Sequence, residues 1–129
     1  MKITSDSDFR KVLEHIWLTP QGLEATQDLK EGVVLEQYYE NQYVVHARKT
    51  ADGWEFKEGP IPTSKVMRLF YYGDGCEKLA RTKDLTEFAN AVQEVIAERK
   101  MVFIPMRPPE TLVRHGFADF ARRLGLPGK

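Results

Sequence analysis

Near the N-terminus, apolar residues recur at the period of a helix. Over Ser7 to Leu18, Phe9, Val12, Leu13 and Ile16 form one stripe, Ser5 or Ser7 is available as an N-cap, and Pro20 closes the segment. The pattern weakens from Gln21 to Glu31, and Gln27 to Gly32 reads as a connection with room for a short helical turn. Between residues 33 and 58 the character changes. Val33-Val34-Leu35, Tyr38-Tyr39, Tyr43-Val44-Val45 and Trp54-Glu55-Phe56 supply the β-branched and aromatic side chains that suit a pleated surface.

The strongest turn signal is Asp52-Gly53, and cross-strand pairing decides how the loop is set. A two-residue loop on Asp52-Gly53 would put Arg48 opposite Lys57. A four-residue loop, Thr50 to Gly53, puts Arg48 opposite Glu55, Ala47 opposite Phe56 and Lys49 opposite Trp54, and is preferred on charge. It also sorts the faces: Tyr43, Val45, Ala47 and Phe56 turn inward, and Val44, His46, Arg48, Glu55 and Lys57 turn outward.

Two prolines make Glu58 to Thr63 a loop. Val66 to Tyr72 then reads as a strand, and because Met67, Leu69 and Tyr71 alternate with Arg68, Phe70 and Tyr72, both of its faces are largely apolar, which suggests a central position. Gly73-Asp74-Gly75 is a turn. Cys76 to Arg81 is expected to return as the second arm of this hairpin or to enter an irregular passage. The clearest helix runs from Leu85 to Arg99, capped by Asp84 with Glu87 three residues on, its stripe made of Leu85, Phe88, Ala89, Val92, Val95 and Ile96; it should lie across the sheet. Met101 to Ile104 is a short strand ended by Pro105. A last helix follows Pro108-Pro109 through Val113, Phe117, Phe120, Ala121 and Leu124, stopped by Gly125 and Pro127; Gly116 within it costs on the order of 1 kcal/mol relative to Ala and invites a bend or break. The expectation is one α+β domain: an antiparallel sheet of about four to six strands, a long helix packed on it, and N-terminal and C-terminal helices.

Length agrees with one domain. A chain of 129 residues buries roughly two thirds of its unfolded surface. No apolar run approaches the ~20 residues of a membrane span, the first residues turn acidic rather than apolar, and the single cysteine, Cys76, excludes an intramolecular disulfide framework, so a cytoplasmic protein without membrane association is expected. Lys plus Arg and Asp plus Glu number 19 each, which removes bulk attraction to nucleic acid or acidic membranes. The balance is uneven along the chain: residues 1 to 64 hold 7 basic and 11 acidic groups, residues 65 to 129 hold 12 and 8. The halves either complement one another within the fold or leave a basic face on the C-terminal segment.

Candidate chemistry is sparse. His15, His46 and His115 are far apart with no pairing at metal-ligand spacing, and Cys76 has no companion thiol, so no metal site is expected. Gly73-Asp74-Gly75 lacks both the further glycine and lysine of a phosphate loop and the repeated acidic ligands of a calcium loop. No nucleophile elbow is present, and no cofactor is expected. His46 and Arg48 with Tyr38 or Tyr43 could form a small acid-base or anion-binding group on a sheet face, or simply a solvated face with an Arg48–Glu55 pair. The tyrosines of Tyr38-Tyr39-Glu40-Asn41-Gln42-Tyr43 cannot all face one core, which raises the prospect of an exposed recognition tip.

Phe117-Ala118-Asp119-Phe120-Ala121-Arg122-Arg123-Leu124-Gly125-Leu126 resembles the first helix and turn of a helix-turn-helix DNA reader. The recognition helix that should follow is absent before Lys129, so the family's function is not carried over. Arg107, Arg114, Arg122, Arg123 and Lys129 still form a basic lip that could touch phosphates. The leading expectation is a non-enzymatic protein that binds a macromolecular partner, as inhibitors, immunity proteins and chaperone-like accessory proteins do, through Tyr38, Tyr39, Tyr43, His46 and Arg48. The alternatives are a nucleic-acid-associated protein using the basic lip, and a small-ligand binder or enzyme with a pocket on the sheet near His46.

Overall fold

The computed structural model describes residues 2–62 and 65–127. Ser5 caps α1 (Asp6–Trp17) by accepting the Asp8 amide, and Phe9, Val12, Leu13, Ile16 and Trp17 bury its apolar stripe. Pro20, besides ending α1, occupies the first turn of α2 (Pro20–Ala25), where its missing N–H has no cost; Thr19 caps that helix. The sheet strands are β1 (Val34–Tyr39), β2 (Tyr43–Thr50), β3 (Gly53–Glu58), β4 (Met67–Tyr71) and β5 (Met101–Pro105), in the order β3-β2-β1-β4-β5.

The hairpin pairs Arg48 with Glu55, Ala47 with Phe56 and Lys49 with Trp54, as the charge argument requires. Thr50 and Gly53 also pair, so the connection narrows to Ala51-Asp52. Burial follows the expected sorting of faces, with Val45, Ala47 and Phe56 buried and Arg48, Glu55 and Lys57 exposed.

The sheet is mostly antiparallel, but β1 and β4 are parallel. After β3 the chain buries Ile61, whose amide reaches Glu36 of β1, and β4 then lies beside β1 in the same direction. β4 is therefore interior, between β1 and β5.

The expected return arm after Gly75 is instead a helix, α3 (Gly75–Ala80). Cys76 and Leu79, three residues apart, turn to the core as a helix allows and an alternating strand does not. Lys78 fixes this helix to its neighbour through Glu94 and Glu98, at 2.7 and 2.8 Å. That neighbour is α4 (Leu85–Ala97), whose cap is reciprocal: Asp84 accepts the Glu87 amide at 2.9 Å and Glu87 accepts the Lys83 amide at 2.8 Å. α4 packs on α2, α3 and β5, while α1 covers β2 and β3.

The C-terminal helix breaks in two, α5 (Pro109–Arg114) and α6 (Phe117–Arg123), at Gly116. Gly116 has φ +96° and lies so close to the 28–29 backbone that a Cβ would sit 2.0 Å from the Asp28 carbonyl oxygen. No other residue fits there without moving the backbone.

Candidate functional site

Phe117 and Phe120 turn the α5–α6 pair toward the core, and hydrogen bonds from outside the sheet fix its position. The Lys30 amide donates to the His115 carbonyl at 3.0 Å, Arg123 Nε meets Asp28 Oδ2 at 2.8 Å, and Gln93 Nε2 donates to the Leu124 carbonyl at 2.8 Å. Fixed in this way, the two helices stand off the edge strand β5. Between them lies an apolar groove of about 830 Å³. β5 lines it with Met101, Val102 and Phe103, α5 with Leu112 and Val113, and α6 with Phe117, Phe120 and Ala121. Among the described residues the one ionisable group on its wall is Arg99, exposed in a left-handed conformation (φ +60°) just beyond α4. Such a wall suits an apolar molecule.

A second, much smaller cavity of about 10 Å³ lies further in, between the inner sheet face and α1 and α2, with Trp17, Leu35, Gln37 and Ala47 on its wall. It has room for about one water molecule. Phe103, Phe117 and Phe120 line both spaces. Near the small cavity, Trp17 Nε1 donates to the Tyr71 hydroxyl at 3.2 Å and that hydroxyl donates to Gln37 Oε1 at 2.5 Å. Burial raises the Tyr71 phenol well above its ordinary value, so it remains a donor.

The five residues expected to bind a partner do not converge. Tyr38, His46 and Arg48 share the outer face with Glu36, whereas Tyr39 and Tyr43, directly paired, share the inner one. Tyr38 stacks on Phe70 with ring centroids 5.0 Å apart and an interplanar angle of 11°. Tyr39 packs on Phe9, and the turn tip is Glu40-Asn41-Gln42. All three tyrosines are half-buried. His46 Nδ1 lies 3.0 Å from the Gly59 carbonyl oxygen, and His46 lines neither cavity. Arg48 is exposed, and its partner in register, Glu55, approaches Lys57 instead, at 4.0 Å.

Glu36 is a centre that the sequence reading passed over. It is 1% exposed and accepts from the Tyr38 hydroxyl at 2.6 Å, Arg68 Nε at 2.9 Å and the Ile61 amide at 3.1 Å, with Lys65 Nζ at 3.3 Å. Burial alone would raise its carboxyl; the Tyr38, Ile61, Arg68 and Lys65 donors together outweigh it and hold the group below its ordinary value. The available signal was a lone carboxylate between Leu35 and Gln37 in an apolar strand.

The arginines of the expected basic lip have local partners: Arg107 the Met106 carbonyl, Arg114 Thr111, Arg122 Asp119 and Arg123 Asp28. Lys129 lies outside the described residues. Among the described residues no group of three metal-ligating side chains comes together, and no helix is long and apolar enough to cross a membrane. Cys76 is buried, which pushes its thiol up to about 12.

No family model matches the chain, and no curated protein matches it. In three dimensions it is similar to a solved "UbiJ-SCP2 Ubiquinone synthesis protein", with a TM-score of 0.53 and 13% identity over 92% of this chain and 94% of that one. At that identity the likeness establishes a shared fold.

Proposed function

We propose that this protein binds a lipid-like molecule, its apolar chain lying in the groove between β5 and the α5–α6 pair and its polar end facing Arg99. The observation that carries this reading is the groove itself: its volume falls within the range of small-molecule sites, about 300 to 1,000 Å³, and its walls are almost wholly hydrocarbon and aromatic. The fold shared with a protein named for ubiquinone synthesis supports the same ligand class, since ubiquinone carries a long isoprenoid chain. Each buried methylene contributes roughly 0.8 kcal/mol, so the roughly fifteen alkyl carbons of a sixteen-carbon acid contribute about 12 kcal/mol, and an association cost of about 4 kcal/mol leaves a dissociation constant of about a micromolar.

The test is titration of delipidated protein with palmitate and with hexadecanol by calorimetry. Both should bind with one site, palmitate the more tightly because of Arg99. Val113→Asp should weaken both at least about tenfold with the melting temperature nearly unchanged, because Val113 is 53% exposed and surface substitutions of that kind typically cost within about 0.5 kcal/mol. Failure of both ligands to bind would refute the reading.

A specific feature favours a second reading, contact with a protein partner through the outer sheet face. The Tyr38–Phe70 stack continues in register to Val102, and Val102 and Ile104 are exposed. Tyr38, His46 and Arg48 flank this stripe. Tyr38→Ala should then weaken capture of a partner from lysate without affecting palmitate binding; equal capture by the variant would remove the idea.

A further inference from the structure

The inner limit of the groove is a wall of rings rather than backbone. Phe103 projects from β5, and Phe117 and Phe120 from α6; the Phe120 ring lies 6.2 Å from that of Phe103 and 6.0 Å from that of Phe117, centroid to centroid. Behind the same three rings is the small inner cavity, so the wall has space on both sides. Interiors are packed to crystal-like density, and a ring with free volume before and behind it is the place where that packing is interrupted. Phe120 touches both other rings and is the centre of the wall.

We propose that this phenylalanine wall is the length stop of the site: an apolar chain runs along β5 until its end meets Phe120, and the cavity behind is closed to it. The inference rests on the reading of the groove as a chain-binding site. Removing the Phe120 ring would join the two spaces and let the chain continue toward Leu35 and Ala47 on the inner sheet face, both of which line the small inner cavity. The ring removed extends about 4 Å beyond Cβ, the length of roughly three carbon–carbon bonds of about 1.5 Å.

The experiment measures affinity across a series of saturated fatty acids from decanoate to stearate, by calorimetry on delipidated protein. In the wild-type chain, affinity should climb with length and then stop climbing or fall. Phe120→Ala should move that break to longer acids by at least about two carbons, consistent with the added depth. Ala47→Val in the Phe120→Ala background narrows the space behind the wall and should move the break back. Phe120→Trp should move it to shorter acids, and Phe120→Leu serves if Phe120→Ala does not fold. A break that stays put in the folded Phe120 variants, or a wild-type affinity that climbs unbroken to stearate, would overturn the length stop and leave the groove reading standing. If no acid binds the wild-type chain, the groove reading itself fails and the length stop falls with it.

Discussion

Replacing Glu36 by Gln measures how far the outer face of the sheet depends on one buried charge. The amide keeps an acceptor oxygen but removes the charge and turns an NH2 group toward at least one of the Tyr38, Ile61, Arg68 and Lys65 donors. Removing one partner of a fully buried ion pair costs about 3 to 5 kcal/mol. Here the orphaned cations are partly in water, Arg68 with 36% and Lys65 with 16% of the side chain exposed, so the loss is nearer about 2 kcal/mol once solvent screening is allowed for. With an unfolding entropy of about 2.1 cal/mol/K per residue, that is a fall of roughly 7 °C in melting temperature for this chain. Calorimetric melts at a series of pH values check both the size and the cause. Because the carboxyl is held below its ordinary value of 4.5 in the folded chain, its contribution is complete above that value and is lost as pH falls through the lowered one. The gap between wild type and Glu36→Gln should therefore be full at neutral pH and close under acid conditions. A shift below about 2 °C at neutral pH, well short of the expected fall, or a gap that does not change with pH, would refute the ionised-centre account.

Other consequences are simpler to state. Gly116→Ala places a methyl group against the Asp28 carbonyl at a backbone angle that disfavours side chains, so urea unfolding should show a loss of at least about 2 kcal/mol together with weakened palmitate binding, since α5 and α6 are hinged there. Tyr71→Phe leaves the Trp17 N–H and the Gln37 amide oxygen without their buried partner and should cost about 1 to 3 kcal/mol in the same assay. Cys76, with its thiol pushed up to about 12 by burial, should resist a maleimide at pH 8 in the folded chain and react fully in denaturant; rapid labelling of the folded chain would show that α3 opens readily.

What the sequence made legible were the parts decided by neighbours along the chain. The β2–β3 register follows from Arg48 facing Glu55 rather than Lys57, and α4 from the Asp84–Glu87 cap with its apolar stripe. The parallel pairing of β1 with β4 depends on where the chain goes after the hairpin, which no local pattern specifies. α3 was misread because a turn after a strand suggests a returning strand, and the helix over Cys76 to Ala80 is secured by Lys78 contacts to a helix later in the chain. The groove was invisible for a similar reason. Met101 to Ile104 reads as a short apolar strand and Leu112 to Phe120 as the stripe of a terminal helix; only the anchoring of α5–α6 on residues 28–30 and Gln93 shows that the two stand apart. Tyrosine density pointed to Tyr38, Tyr39 and Tyr43, but strand alternation divides them between faces, and the exposed apolar side chains Val102, Ile104 and Val113 attract no notice in sequence.

The central claim is that an apolar chain occupies the space between β5 and the α5–α6 pair, and methyl NMR with a spin-labelled stearate tests it most directly. If the claim holds, the nitroxide broadens the methyl signals of Val102, Leu112 and Val113 and spares Val12 on α1 and Val34 and Val44 on the outer sheet face. Sharp groove signals at saturating ligand, or broadening centred on Val34 and Val44, would contradict it.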